Sequence, residues 1–222
     1  MNANTAGKQF LRQMVDAPGV SGILILLARN RWVLPHALRL RLRAQLRVRQ
    51  ALVSAPLPDG AVVKLWHDSS SSDVTTRIYW DGFAGYENGT PQFFFDRCRN
   101  ARVVLDIGAN VGYYSILAAL ANPDAEVVAF EPVPQLYDCL VRNIELNQLT
   151  SRITALKLAV GDRCALVPLY VPNNGVLCES SILAEFRPDS TQLQAEATTI
   201  DGFLDDRGIN CVDVIKDRRR RG

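Results

Sequence analysis

An α/β fold built on a parallel sheet is predicted for the second half of this 222-residue chain, and three observations predict it. From residue 101 onward, short apolar runs alternate with segments of ten or more residues that read as helix. The runs are continuously apolar rather than alternating, as strands buried on both faces are. The first run ends in an acidic residue and a glycine-rich turn, "DIGANVG", before helical sequence resumes.

Taken in order, "RVVLDI" (102–107) is the first strand and "GYYSILAALAN" (112–122) the first helix of this region. "EVVAFE" (126–131) is a second strand and "PQLYDCLVRNIELN" (134–147) a second helix. "RITALKLAV" (152–160) reads as a third strand, and "ALVPLYVP" (165–172), before the "NNG" turn, as another. "TTIDGFLDDRG" (198–208) reads as a capped helix, and "CVDVIK" (211–216) as the fourth parallel strand. Such βαβ alternation is what a parallel sheet covered by helices requires.

The N-terminal part is different. Residues 1–57 read as a basic helical segment, and 58–99 as a hairpin and short helix leading into a core at 100–222. Pro35 suits the first turn of a helix through "HALRLRLRAQLRVRQALV". Leu38, Leu42 and Leu46 recur every fourth residue there, although "LRLRLR" also alternates with strand period. A packing helix with snorkelling arginine stems is favoured over an interfacial helix on anionic lipid, which leaves peripheral membrane contact as the sharper alternative. "AVVKLWHD" (61–68) and "DVTTRIYWDG" (73–82) are rich in strand formers and flank "SSSS", so a hairpin is predicted. His67 and Asp68 beside that loop read as ordinary turn residues rather than a catalytic pair. "TPQFFFDRC" (90–98) predicts a short helix with Thr90 as N-cap and Pro91 in its first turn.

Composition excludes several classes. With 48% hydrophobic and 22% charged residues, the chain is an ordinary globular one. Its five cysteines (Cys98, Cys139, Cys164, Cys178, Cys211) form no C-x-x-C, and only His36 and His67 could join them, so no zinc cluster is expected. Free thiols, and a cytoplasmic location, are the expectation. "GVSGILILLA" (19–28) lacks the flanks and cleavage site of a secretory signal and is too short to span a membrane. The net charge of +2 conceals an asymmetry: residues 1–50 carry nine basic groups against Asp16 alone, and 217–222 four arginines against Asp217, leaving the body acidic.

The chemistry points to the strand tips. Asp106 ends the first strand, and Gly108, Asn110 and Gly112 crowd the turn that follows. Glycines allow a ligand close to the backbone, and a helix N-terminus offers unpaired N–H groups. The G-x-G-x-x-G spacing of a dinucleotide site fails here, because Asp106 and Val111 stand where the outer glycines belong. An acid at the mouth repels a pyrophosphate and suits an ammonium. Glu131 ends the second strand, where a carboxylate can accept both hydroxyls of a ribose. Asp162, in "AVGD" after the third strand, is placed to accept an adenine amine. A ligand with ammonium, carboxylate, ribose and adenine is S-adenosylmethionine rather than NAD.

"VVLDIGANVGYYSILAA", "VVAFEPVPQLYDCLVRNIELNQL", "AVGD", "SSIL" and "TTIDGFLDDRGINCVDVIK" together resemble the FkbM-type S-adenosylmethionine-dependent methyltransferases over roughly residues 100–216. The resemblance implies a seven-stranded Rossmann-like sheet. In it Asp106, Gly108, Asn110 and Gly112 surround the methionine part of the donor, Glu131 holds the ribose and Asp162 faces the adenine. It also implies O-methylation of a hydroxyl, often on a sugar, glycan, glycolipid or natural product; a nucleic-acid partner is not expected. No general base is named by the sequence. Two other functions are weighed: an NAD-binding oxidoreductase module, and a non-catalytic membrane-surface or interaction protein using its basic ends.

The resemblance also bears on "KDRRRRG". The family's fourth strand runs on as Lys-Ile-Asp-Val-Glu-Gly; Lys216 matches the lysine, but the acid two residues later is Arg218 here, and Asp217 falls on the opposite face. A nucleic-acid or lipid tail and an idle solvated terminus are two readings of the arginines. The favoured one is a reading-frame change. Codons ATC-GAC-GTC-GAC-GGG-GCC spell Ile-Asp-Val-Asp-Gly-Ala, and one extra G before them spells Asp-Arg-Arg-Arg-Arg-Gly, the residues at 217–222. A truncated chain lacking its later sheet strands, with weak donor binding and slight turnover, is therefore expected.

Overall fold

The computed structural model describes residues 20–29, 33–46, 48, 51–68, 71–87, 89–173 and 189–218, in two units, 1–50 and 51–222. The expected SSIL stretch, the "NNG" turn beyond Asn173 and the arginines at 219–221 lie outside the described residues.

In the first unit, α1 (Val20–Arg29) and α2 (His36–Gln45) form a helix pair. Pro35 opens α2 as expected: its carbonyl accepts from the amides of Leu38 and Arg39 at 3.0 and 3.1 Å. Arg43 Nε donates to the Ala28 carbonyl at 3.1 Å, fastening α2 to the end of α1. Among the described residues, no helix is long and apolar enough to cross a membrane.

The second unit begins with a hairpin, but not the expected one. β1 (Leu52–Pro56) pairs antiparallel with β2 (Val62–Trp66). Residues 52–56 thus leave the helical segment to which the sequence assigned them. The supposed second arm, 73–82, is instead α3 (Ser72–Asp81). Its Val74, Thr75, Ile78 and Tyr79 are all buried, a stripe with helical spacing. Ser71 starts the turn by donating to the Trp66 carbonyl at 2.8 Å while its own carbonyl accepts from Thr75 Oγ1 at 2.8 Å. Burial of that stripe overrides the strand preference of Val, Thr, Ile and Tyr.

Beyond a short 3-10 turn (Phe83–Gly85) and α4 (Thr90–Cys98), the parallel sheet begins. Gly89, in the left-handed conformation, takes the N-cap of α4, one residue before the expected Thr90. The sheet strands are β3 (Val103–Ile107), β4 (Glu126–Phe130), β5 (Ile153–Leu156) and β9 (Val214–Asp217), ordered β5-β4-β3-β9 and all parallel. Helices α5 (Tyr113–Ala121) and α6 (Pro134–Leu146) connect the first three strands. α7 (Ile200–Arg207) precedes the fourth, its N-cap Thr199 accepting from the Gly202 amide at 3.1 Å. The chain winds outward from β3 one way and returns to its other side with β9, the arrangement of a Rossmann-like sheet. Ligands bind such sheets in the crevice where the winding reverses, here between the carboxyl ends of β3 and β9.

The predicted third strand divides. Its first part is β5; its second, β6 (Ala159–Val160), joins a separate sheet ordered β6-β8-β7. There β7 (Ala165–Pro172) and β8 (Ser190–Thr198) pair antiparallel along their whole length. The parallel ladder stops where the Glu131 amide donates to the Leu156 carbonyl at 3.0 Å. Leu105, Ile107, Val128, Phe130, Val160 and Phe203 form the buried cluster beneath α7 that supports the strand tips.

Candidate functional site

The turn after β3 is shaped by three left-handed residues in five: Gly108 (φ +71°), Asn110 (φ +54°) and Gly112 (φ +82°). Gly108 and Ala109 both donate to the Phe130 carbonyl at 2.9 Å, which pulls the turn back over β4. Gly112 has no room for a side chain, since a Cβ there would run into the Leu140 side chain. Asn143 on α6 locks the underside. Its Nδ2 donates to the Val111 carbonyl at 2.8 Å and its Oδ1 accepts from the Trp66 amide at 2.7 Å, tying the turn to the hairpin.

Two acids meet this turn. Asp106 is 1% exposed and accepts from Ser115 Oγ at 2.6 Å. Burial raises its pKa to about 6, against the lowering effects of the Ser115 hydrogen bond, Lys216 and Arg218. Glu131, 4% exposed, accepts from the Asn110 amide on Oε2 at 2.7 Å and from the Val133 amide on Oε1 at 2.9 Å. Burial again dominates and raises it to about 7, while the two amides and Arg218 pull the other way.

At the crevice the turn faces a small cleft open to solvent, lined by Asp106, Gly108, Asn110, Tyr114, Lys216 and Arg218 among others. The Asn110 side chain is buried, yet its Oδ1 and Nδ2 have no partner. An unsatisfied buried amide costs free energy unless something else bonds to it. A donor with polar groups at the end of β3 would do so, and the residues present fit one.

The structure thus brings Asp106, Gly108 and Asn110 to one cavity, with Glu131 held against the Asn110 amide and Gly112 capping α5 behind them. Asp162 follows β6 in the second sheet, two residues after Val160 of the cluster beneath the strand tips; its side chain is 90% exposed, and its ion-pair contact is Arg163 at 4.0 Å. The rim of the cavity escaped sequence reasoning. Glu87, in the left-handed region at φ +48°, accepts from Tyr114 Oη at 2.8 Å and lies 3.4 Å from Lys216 Nζ and 3.9 Å from Arg218 Nε. Lys216 Nζ also lies over the Tyr114 ring, and the Arg218 guanidinium over Tyr86.

Acid-tipped parallel strands around a switch-point crevice define a Rossmann-like cofactor-binding class. The domain described as Methyltransferase FkbM domain matches residues 106–216, half of the chain. The chain belongs to the FkbM methyltransferase family. It is 39% identical over 71 residues to Methyltransferase sdnD of Sordaria araneosa, covering 32% of this chain and 27% of that protein. It is 29% identical over 108 residues to 31-O-demethyl-FK506 methyltransferase FkbM of Streptomyces tacrolimicus, covering 45% and 38%. The chain therefore spans between 27% and 38% of the length of these relatives. Among solved structures, TYW2 of P. horikoshii in complex with MeSAdo is similar at 20% identity and TM-score 0.32, covering 51% of this chain and 38% of that one.

Proposed function

We propose that this chain binds S-adenosylmethionine and transfers its methyl group to a hydroxyl of a small molecule, such as a sugar, glycan, glycolipid or natural product. One observation carries the reading: the buried, unsatisfied Asn110 amide lies beside the Asp106 carboxylate at the reversal of a parallel sheet. Asp106 suits an ammonium better than a phosphate, which disfavours a dinucleotide.

When bound, the donor would supply an electrophilic methyl on a sulfonium. Asp106 and Asn110 would hold the amino-acid end against the Gly108 turn. Glu131 would take the ribose, since each of its oxygens keeps acceptor capacity beside its backbone bond. The chain's task is positioning: to hold acceptor oxygen, methyl carbon and sulfur in line and to exclude water.

Calorimetric titration with S-adenosylhomocysteine and with NAD tests the reading. Saturable binding of the first and none of the second is expected. Binding of NAD alone would overturn it.

A further inference from the structure

Lys216 and Arg218 are two residues apart at the tip of β9, and both line the cavity. In a strand that spacing puts both side chains on one face. Their side chains are only 15% and 23% exposed, so the two cations are held partly out of water. Tyr114 completes the group from α5 with its hydroxyl. Two cations and a phenol converging in this way make a recognition site for an oxyanion. The site already holds one. The Glu87 carboxylate takes the Tyr114 hydroxyl on Oε2, with Lys216 on the same oxygen and Arg218 facing Oε1.

Glu87 reaches this position from a backbone conformation that L-residues rarely adopt. Such strain persists where surrounding contacts hold it, and it gathers at ligand clamps and switches. A carboxylate brought from a neighbouring loop by strained backbone is an internal stand-in for a ligand's own. Asp106, below Lys216, does not forbid an anion here, since Glu87 is already one.

We propose that Lys216, Arg218 and Tyr114 form a carboxylate subsite at the mouth of the cavity, filled here by Glu87, which yields when a ligand carboxylate takes its place. The ligand is an anion carrying a carboxylate, either the amino-acid end of the donor or an acidic group on the acceptor. The donor-site reading matters only for deciding between those sources.

NMR chemical-shift titrations of the full chain with glycolate and its uncharged analogue glycolamide test the subsite. Glycolate is expected to bind and glycolamide to bind at least ~10-fold more weakly, the scale of one charge-assisted hydrogen bond. Glu87→Gln should tighten glycolate by about 10-fold, because the internal competitor loses its charge, and Lys216→Met and Arg218→Met should weaken it similarly. A gain of affinity cannot arise from misfolding. Titrating the same variants with S-adenosylhomocysteine and methylthioadenosine, which lacks the amino-acid end, separates the sources. Loss confined to S-adenosylhomocysteine supports the donor's carboxylate; loss confined to glycolate supports an acidic acceptor. Equal affinity for glycolate and glycolamide, with Glu87→Gln silent, would overturn the subsite. Failure of both adenosyl compounds to bind any variant would overturn the donor reading instead, and the glycolate series would still decide this one.

Discussion

Lys216 stands directly opposite Asp106 in the parallel ladder between β9 and β3, so the two side chains leave the sheet on the same face. The acid is buried and the cation half-buried above it, and Lys216 is among the groups that hold the Asp106 pKa down against burial. The register of one strand pair thus sets the charge balance of the crevice.

Stability should fall as pH rises across the neutral range. Burial raises Asp106 to about 6 and Glu131 to about 7, so the folded chain retains protons that the unfolded chain has released. Between about pH 4 and about pH 7 the unfolded state therefore binds fewer protons, and the slope of stability with pH is negative. Asp213, held low by the amides of Val103 and Arg102, acts in the opposite sense, but only at and below the ordinary carboxylate range. Tm is expected to be higher near about pH 5.5 than near about pH 8, and Glu131→Gln should flatten the profile. A Tm that climbs steadily over that interval in the parent chain would contradict the burial of these acids.

Binding of a cationic donor should run the other way. An ammonium is attracted to ionised Asp106, and with its pKa raised to about 6 the ionised fraction rises about 4-fold from about pH 5.5 to about pH 8, so its ionisation should tighten S-adenosylhomocysteine by up to about 4-fold over that range. Calorimetry across that range checks this, with Asp106→Asn expected to bind weakly and to lose this part of the pH dependence, leaving only the part due to Glu131.

Asn110→Gly separates ligand binding from folding. The side chain has no protein partner, and its backbone is left-handed. Glycine relieves that conformation and removes an unsatisfied amide, so Tm should hold or rise. Donor affinity should fall by about 10-fold, the worth of hydrogen bonds made only to the ligand. Falling Tm and unchanged affinity would show that the amide serves the fold instead.

Much of this site was legible because its residues are local in sequence. Asp106 through Gly112 is one turn, and glycine at a strand end announces close backbone approach. Glu131 follows from the next strand by the period of a βαβ unit. What failed depended on tertiary burial. Strand-forming Val74, Thr75, Ile78 and Tyr79 become a helix because their stripe is buried. The run 152–160 changes sheets after Leu156, which an unbroken apolar pattern does not reveal. Glu87 reaches the crevice through a left-handed loop residue, and nothing in "GYENG" marks it as part of a site formed with Lys216.

The position of Asp162 bears on one testable point. Strand-tip logic gives Asp162 a contact with the adenine, and its removal would then cost about 10-fold in donor affinity, as loss of a charge-assisted hydrogen bond does. The structure leaves its side chain 90% exposed beside Arg163, on a sheet separate from β3, β4 and β9. An exposed ion pair of that kind contributes at most about 1 kcal/mol to the fold. Asp162→Ala is accordingly expected to leave both Tm and the Kd for S-adenosylhomocysteine nearly unchanged, while Glu131→Ala weakens the same ligand by at least about 10-fold. If Asp162→Ala instead matches Glu131→Ala in calorimetry, the carboxylate that follows β6 reaches the donor as strand-tip logic expects.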